Sequence, residues 1–510
     1  MDLEFELSRT HLPIAGVYRH ARQLPDRPAM IAEDTTITYG EFLVRIQQAA
    51  ARLAAAGVRR GDRVALVAGN SAEFPVVTYA TNYLGAITVP VNFRLAAGEI
   101  AYILGNCEPT VVVADAERAD TARTALAEAQ GSASEAAFMD LLELAAAGEE
   151  GDVPDPVVCD LGDDQAIMYT SGTTGRPKGA VLSYSNFLAT TMRSSASWAY
   201  VPGKDSVLIA SPMFHIAAFN VVTTNIANAA ASVITPSTGF DAGYLLDVME
   251  AHDVSRTFMV PAQWQLIVDE QRRKPRSVSL KFYSWGAAPA TEALLTAMGE
   301  TFPEASSQAA FGQTETTAGG VSLSHEDSLR KLGSVGLPDR NYSIRVVDSQ
   351  MNDVPRGEVG EIVYRGPGVM SRFWNNEAAT AEAFAGGWFH SGDLVRQDEE
   401  GFLYVVDRVK DMIISGGENI YCAELENVIA WHPKVAEVAV VGRSDEKWGE
   451  VPVAVVVPHA DDDVPTLEEI RKFCDGKLAR YKLPKDIIIR EAFPRSGTGK
   501  IQKTVLRQEV

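Results

Sequence analysis

A chain of 510 residues is too long for one hydrophobic core, so two or more domains are expected. With 46% hydrophobic and 22% charged residues the composition is that of a globular enzyme, and a formal net charge of −21 excludes a broadly basic surface for nucleic acid. An anionic ligand must therefore be held by local donors working against the overall field.

The chain opens on Met1-Asp-Leu-Glu-Phe-Glu, without the basic-then-apolar shape of a signal peptide. Arg63-Val-Ala-Leu-Val-Ala reads as a buried strand. Phe74 to Leu84 reads as a helix, with Pro75 tolerated in its first turn and Gly85 as the stop. Ala86-Ile-Thr-Val-Pro-Val is the next strand, and alternation of this kind predicts parallel sheets covered by helices. Residues 128–156, rich in Ala, Glu, Gly and Asp, are expected to be a surface helix and a solvated connection. The most apolar long region, Val207 to Thr235, is interrupted by Ser211, His215, Asn220, Asn225 and Asn228, which predicts buried α/β core and no membrane span. Near residue 405 the texture changes to short strands such as Val438-Ala-Val-Val-Gly and Val453-Ala-Val-Val-Val. Thr466 and Glu469 then form a capping box ahead of Leu467, Ile470, Phe473, Cys474 and Leu478 on one helix face. A separate α+β domain is expected there. None of Cys107, Cys159, Cys422 and Cys474 forms a CxxC pair, so neither a zinc site nor a disulfide framework is suggested, and a reducing, cytoplasmic location fits.

Four stretches carry chemistry. Tyr169-Thr-Ser-Gly-Thr-Thr-Gly-Arg-Pro-Lys-Gly179 holds glycines, hydroxyls and one Lys. Its composition alone fits either a flexible linker or a phosphate cradle, in which glycines free backbone N–H groups, hydroxyls add donors and Lys adds charge. Gly172, Gly175 and Lys178 do not follow the Walker spacing, which disfavours a P-loop NTPase. Strand-like flanks and the Pro-Lys-Gly ending weigh against the linker. Ser496-Gly-Thr-Gly-Lys500 has similar chemistry near the end of the chain. Phe311-Gly-Gln-Thr-Glu-Thr-Thr317 combines a ring face, a turn glycine, hydroxyls and a carboxylate, the groups Mg·ATP requires. In Gly387-Trp-Phe-His-Ser-Gly-Asp393 the Asp could accept both hydroxyls of a ribose or simply close a turn.

In this order, the four stretches resemble the adenylate-forming superfamily of acyl-CoA synthetases, adenylation domains and luciferases, and most closely its bacterial fatty-acyl-CoA and 4-coumarate-type CoA ligases. The matching motifs are YTSGTTGRPKG at 169–179, FGQTET at 311–316, GWFHSGDL at 387–394, DRVKDMIISGGENIY at 407–421 and PRSGTGKIQK at 494–503, with TYGEF at 38–42 and GDRVAL at 61–66. The resemblance covers essentially the whole chain, and with it the linker reading of the opening loop falls away. It implies an α/β plus α+β fold. The N-terminal domain (1–406) would consist of helix-covered sheets with a β-barrel-like piece, followed by a hinge (407–410) and a small mobile α+β lid (411–510). It implies ATP, Mg²⁺ and CoA as reactants or cofactors. A carboxylate attacks the α-phosphorus of ATP to give acyl-AMP and pyrophosphate, and the thiol of CoA then displaces AMP.

The resemblance also implies roles. Thr170, Ser171, Gly172, Thr173, Thr174, Gly175 and Lys178 would wrap the β- and γ-phosphates. Gly286, Ala287, Ala288 and Pro289 would sandwich adenine with Phe311, followed by Gly312. Thr314 would bond the α-phosphate and Glu315 would hold Mg²⁺. Asp393 would bind the ribose, with Arg408 in support. Lys500 would bridge carboxylate and α-phosphate. Rotation about Lys410 would withdraw Lys500 and bring in Gly416 and Gly417 for the pantetheine arm. Phe311 replaces the commoner Tyr, and Cys422 stands where relatives usually carry Pro. His215 matches a family position beside the acyl group. Trp285, bulkier than the usual Thr or Ser, would shorten the acyl pocket in favour of aromatic or medium aliphatic acids. Asn220 could bond a ring substituent or satisfy buried backbone. A homodimer is common among such relatives. Two rivals remain at this point: transfer of the adenylate to an amine, a carrier-protein thiol or an inorganic nucleophile, and a non-catalytic nucleotide-binding scaffold.

Overall fold

The computed structural model describes residues 13–33, 35–148, 152–170, 176–416, 418–460, 463–495 and 501–510. They fall into two compact units: one built from the chain up to Thr170, Pro177–Ile344 and Tyr364–Phe389, the other from Arg345–Val363 and His390–Val510.

The first unit holds two helix-covered sheets, as the alternating pattern predicts. In the nine-stranded sheet the order is Leu337–Pro338, Gly320–Ser324, Ser306–Gly312, Phe282–Gly286, Arg256–Met259, Ser206–Ile209, Ala231–Ile234, Pro28–Ala32 and Thr35–Thr38. Its central pairs are parallel and its margins antiparallel. The seven-stranded sheet runs Arg372–Phe373, Lys178–Ser183, Asp164–Thr170, Ile87–Pro90, Arg63–Val67, Val111–Ala114 and Ala137–Asp140. Its inner strands are buried along almost their whole length, which is why they read as continuous Val/Ile/Ala runs with no alternation. The helix Glu73–Tyr83 carries Pro75 in its first turn and stops ahead of Gly85, at φ 66°. The apolar region after residue 206 folds as the strand Ser206–Ile209, the helix Ile216–Ala227 and the strand Ala231–Ile234, nearly all buried. Among the described residues no helix is long and apolar enough to cross a membrane.

Residues 128–156 depart from expectation. A short turn at Gly131–Glu135 leads into the strand Ala137–Asp140, which pairs in parallel with Val111–Ala114, and then into the helix Leu141–Ala145. Leu141, Leu144 and Ala145 are buried. Polar side chains hold this piece down: Arg52 Nη1 donates to the Leu144 and Ala146 carbonyls at 2.8 Å each, and Gln48 exchanges two hydrogen bonds with the Gly148 backbone. A four-residue edge strand paired on one side, with every residue half-buried, leaves no periodic signal.

The second unit contains most of a four-stranded sheet, ordered Ser343–Val347, Val359–Arg365, Phe389–Gln397 and Leu403–Arg408. It also contains a five-stranded sheet. There Val435–Asp445 and Gly449–Pro458 form a long antiparallel hairpin, joined by Ile413–Ser415, Glu418–Ile420 and Asp486–Ile489. These two strands are eleven and ten residues long, beyond the short runs that hydrophobicity marked. Their polar ends, Arg443-Ser-Asp and Gly449-Glu, continue the ladder without burying side chains. The Thr466–Glu469 capping box is present on the helix Leu467–Cys474. Ile470, Cys474 and Leu478 join the core of this sheet, although Leu478 lies past the helix end. Phe473 leaves that core and sets its ring edge-on to His432 at 5.1 Å.

One buried ion pair ties the first unit together. Asp205 and Arg256, with side chains 2% and 3% exposed, are in direct contact. Asp205 also accepts from Ser255 Oγ (2.9 Å) and Val201 N (2.6 Å), and Arg256 Nε donates to the Trp198 carbonyl at 2.9 Å. Removing one member leaves the other charge buried and uncompensated. Asp205→Ala is expected to destabilise by about 3–5 kcal/mol, read as a lowered thermal midpoint, with less loss when Arg256 is replaced by Met at the same time.

Candidate active site

The strands Asp164–Thr170 and Lys178–Ser183 form an antiparallel hairpin in which Thr170 faces Lys178. Ser171, Gly172, Thr173, Thr174 and Gly175 lie outside the described residues. Beside this last pair of the hairpin the Lys178 ammonium stands 5.3 Å from the centre of the Phe373 ring. Thr170 Oγ1 donates to Glu315 Oε1 at 3.1 Å, joining two motifs 145 positions apart.

Glu315 sits on a single 3-10 turn, Thr314–Thr316, after the strand Ser306–Gly312. The chain must reverse there, and it does so with Thr317 and Ala318 both in the left-handed region, at φ 50° and 54°. A β-branched residue in that region is a true outlier. It persists because the turn is held from several sides. Asn220 Nδ2 and Tyr342 Oη donate to the Thr317 and Thr316 carbonyls, each at 2.7 Å. Thr317 Oγ1 donates to the Gly368 carbonyl at 2.7 Å, and Met370 N to the Glu315 carbonyl at 2.8 Å. Gly312 opens the turn where a Cβ would lie 2.4 Å from the Gly319 carbonyl oxygen and 2.7 Å from its nitrogen. Only glycine fits that approach.

Gly286 ends the neighbouring strand, Phe282–Gly286, and pairs with Ala310, one residue before Phe311. A Cβ on Gly286 would come within 2.4 Å of the Ala310 carbonyl oxygen. Ala287 follows at φ 65°, and Ala287, Ala288 and Pro289 are exposed. The Gly286–Pro289 turn and the Phe311 ring therefore lie at the carboxyl ends of adjacent parallel strands, where open α/β sheets bind ligands. Trp285, 4% exposed, is on the same strand and faces Met259 and Ala309 in register.

His215 is exposed and starts the helix Ile216–Ala227. Asn220, on the same helix and 6% exposed, gives its amide to the Thr317 carbonyl, the second of the two uses foreseen for it. Asn220 and Tyr342 hold the turn in place, and the role of Tyr342 was not foreseen.

In the second unit Asp393 and Arg408 are partners on paired strands, with Arg408 Nε 2.9 Å from Asp393 Oδ1. Asp393 is 5% exposed. Glu361 organises the approach: its two carboxylate oxygens meet His390 Nδ1 and the Gly392 N–H, each at 2.8 Å. After Arg408 the chain turns tightly, its carbonyl accepting from Asp411 N (2.9 Å) and Met412 N (3.1 Å). Burial raises the Asp407 carboxyl and lowers the Lys410 ammonium from their ordinary pKa values, so this segment disfavours both charges. Cys422 is buried, its thiol pushed up by burial and donated to the Asp411 carbonyl. Gly416 adopts φ 62° directly under Trp448, whose ring a Cβ would meet at 2.8 Å. Gly417 and Lys500 lie outside the described residues.

The family model of AMP-binding enzymes matches residues 17–374, and that of the AMP-binding enzyme C-terminal domain matches residues 424–500. The chain belongs to the AMP-binding enzyme family. Within that family it is an adenylate-forming acyl-CoA synthetase, as the motifs imply. This AMP-binding enzyme is 38% identical over 488 residues to the long-chain-fatty-acid–CoA ligase FadD13 of Mycobacterium tuberculosis, covering 93% of each chain. It is 36% identical over 503 residues to the indoleacetate–CoA ligase of Aromatoleum aromaticum, covering 96% of this chain and 97% of that one. Among solved structures it matches o-succinylbenzoate CoA synthetase (MenE) from Bacillus subtilis in complex with the acyl-adenylate intermediate OSB-AMP. The TM-score is 0.85, the identity 32%, and the match covers 96% and 97% of the two chains. The same MenE has been solved with ATP and a magnesium ion, again at a TM-score of 0.85.

Gly312→Ala drives a Cβ into the backbone of the turn that carries Glu315. Calorimetric titration should show AMP affinity weakened at least about tenfold, together with a lowered melting temperature.

Proposed function

We propose that this enzyme activates an aromatic or medium-chain aliphatic carboxylic acid with ATP and passes the acyl group to CoA in the cytoplasm. The observation that carries the reading is the contact between Thr170 and Glu315, which puts a phosphate-type hydroxyl beside a buried carboxylate at the mouth of the glycine-rich hairpin. Magnesium prefers oxygen ligands and is usually held by one or two carboxylates plus substrate phosphates, so a lone Glu315 with an adjacent hydroxyl fits it. Bound there, the ion would supply charge neutralisation on the phosphates.

Attack on the α-phosphorus builds charge on phosphoryl oxygens, so catalysis is mainly positioning plus fixed donors and cations. In this reading Thr170, Ser171, Gly172, Thr173, Thr174, Gly175 and Lys178 hold the departing diphosphate, and Thr314 bonds the α-phosphate. Gly286, Ala287, Ala288, Pro289 and Phe311 hold adenine. Asp393 accepts the ribose hydroxyls, and its ion pair with Arg408 fixes one of its carboxylate oxygens. His215 borders the carboxylate. Lys500 neutralises charge between the carboxylate and the α-phosphate. The domain division follows the same reading: a nucleotide-binding domain over 1–406, a pivot at 407–410 centred on Lys410, and a lid over 411–510. Rotation there exchanges Lys500 for Gly416 and Gly417, where the pantetheine arm enters. The tight turn at Arg408–Met412 supports a defined pivot.

The test separates the two half-reactions. Lys500→Ala should reduce acid-dependent pyrophosphate exchange by about 10²-fold or more, as losses of charge-stabilising groups do, while thioester formation from supplied acyl-AMP stays within about twofold. Equal loss in both would sink the exchange of Lys500 for the glycine pair. AMP release that is indifferent to CoA would point to another acceptor.

Trp285 supports the compact acid. It is nearly fully buried on the strand leading to the adenine turn, where its indole occupies volume a Thr or Ser would leave open. Trp285→Ala should move the preferred acid towards longer chains in a kcat/KM panel. An unchanged profile would remove Trp285 from the pocket.

A further inference from the structure

Asn106 lies in the last turn of the helix Ala97–Cys107, outside every motif described above. Its side chain and its backbone grip opposite strands of the hairpin that carries Thr170 and Lys178. The Tyr169 hydroxyl donates to Asn106 Oδ1 at 2.5 Å, across 63 positions of sequence. The Asn106 carbonyl, in a last helical turn that leaves such groups free, accepts from Trp374 Nε1 at 3.2 Å and Asn375 Nδ2 at 3.1 Å. Trp374 in turn donates its backbone N–H to the Gly179 carbonyl at 2.7 Å. One residue thus reaches Tyr169, just before Thr170, directly, and Gly179, just after Lys178, through Trp374.

Three further contacts make this a rigid clamp. The helix end is held by Arg63, whose Nε and Nη2 donate to the Cys107 and Glu108 carbonyls at 2.7 and 2.6 Å. The guanidinium groups of Arg63 and Arg372 lie 5.5 and 5.7 Å from the Trp374 ring centre. The Tyr169 ring packs against Gly179, where a Cβ would come within 3.1 Å of Tyr169 Cζ. Burial raises the Tyr169 hydroxyl well above the ordinary range, so it stays a protonated donor.

We propose that Asn106 is a positioning residue for ATP: by accepting the Tyr169 hydroxyl it fixes the strand that presents Thr170, and so the spacing of Thr170 and Lys178 around the phosphates. The proposal rests on the reading that this hairpin holds the diphosphate. A hairpin freed at one stem would bind ground state and transition state less well by the same amount, which appears in KM and leaves kcat. The second half-reaction begins after pyrophosphate has left and should not respond.

The experiment measures pyrophosphate exchange and thioesterification in Asn106→Leu, Asn106→Asp, Tyr169→Phe and the Asn106→Leu/Tyr169→Phe pair. Asn106→Leu and Tyr169→Phe should each raise the KM for ATP by about 5- to 20-fold, within the range that small misplacements produce. Their kcat, their KM for the acid and their thioesterification of supplied acyl-AMP should stay within about twofold. The pair should resemble either single variant, since both remove one bond. Asn106→Asp keeps the acceptor and should stay near wild type. An unchanged KM for ATP in Asn106→Leu overturns the proposal, as do equal losses in both half-reactions or losses that multiply in the pair. Absence of acid-dependent exchange in the wild-type protein would overturn the parent reading and this one together.

Discussion

Thr317 and Ala318 occupy left-handed backbone that side chains avoid, at a cost on the order of 1–3 kcal/mol each. Much of the first unit is arranged to hold them there. The carbonyls of residues 315, 316 and 317 point away from any regular ladder and would be costly if left unpaired. Met370, Tyr342 and Asn220 supply a donor to each, and they come from a loop, a buried tyrosine and a helix widely separated in sequence. Thr190 adds a second, longer donor to the Thr317 carbonyl at 3.4 Å. Two residues before the strained pair, Glu315 meets Thr170 Oγ1 at 3.1 Å. Strain kept in one conformation by many independent contacts is what a site needs when its task is to hold charge in a fixed place.

The overall charge makes the same demand by another route. A chain with a net charge of −21 does not draw in a nucleotide by its long-range field. Selection for ATP must come from donors at short range, and these are arranged in pairs that keep their own carboxylates satisfied. Arg193 is paired with the buried Asp339, which also accepts from Gly320 N and Ser322 Oγ beside the strained turn. Arg408 is paired with Asp393. Each arginine gives a carboxylate of low exposure a charged donor, which fixes the orientation of its oxygens.

The sequence made the layered fold and the enzyme family readable, for distinct reasons. Inner strands such as Arg63–Val67 and Val111–Ala114 are buried on both faces, so their apolar runs are unambiguous. The family could be read because its motifs keep particular residue types at short spacing. Ala137–Asp140 could not be read, because an edge strand of four half-buried residues makes no pattern. Nor could the extent of the Val435–Asp445 hairpin, whose ends pair through backbone alone. The supports of the site were the least legible. Asn106, Asn220 and Tyr342 act across 63, 97 and 26 positions, and nothing local to them signals a partner that only the fold supplies.

The contacts beyond Lys410 bear on how the proposed lid would stay accurate. The bridge between Arg495 and Ile501 and the bond from Gln502 N to the Pro494 carbonyl (2.8 Å) close the two flanks of the segment that contains Lys500. The helix Lys503–Arg507 follows at once and is tied at both ends. Lys503 Nζ meets Glu426 Oε1 at 2.6 Å, and Arg507 Nη2 meets Asp411 Oδ1 at 2.9 Å. Asp411 is the first residue after the proposed pivot at Lys410. Glu426 is further committed to Val440 N at 2.6 Å, in the core hairpin of the same unit. The flanks of the Lys500 segment are therefore coupled by direct contacts to the residue that any rotation about Lys410 must carry. In the proposed rotation these ion pairs and backbone hydrogen bonds would brace the arm beyond the pivot, so that its endpoint stays defined.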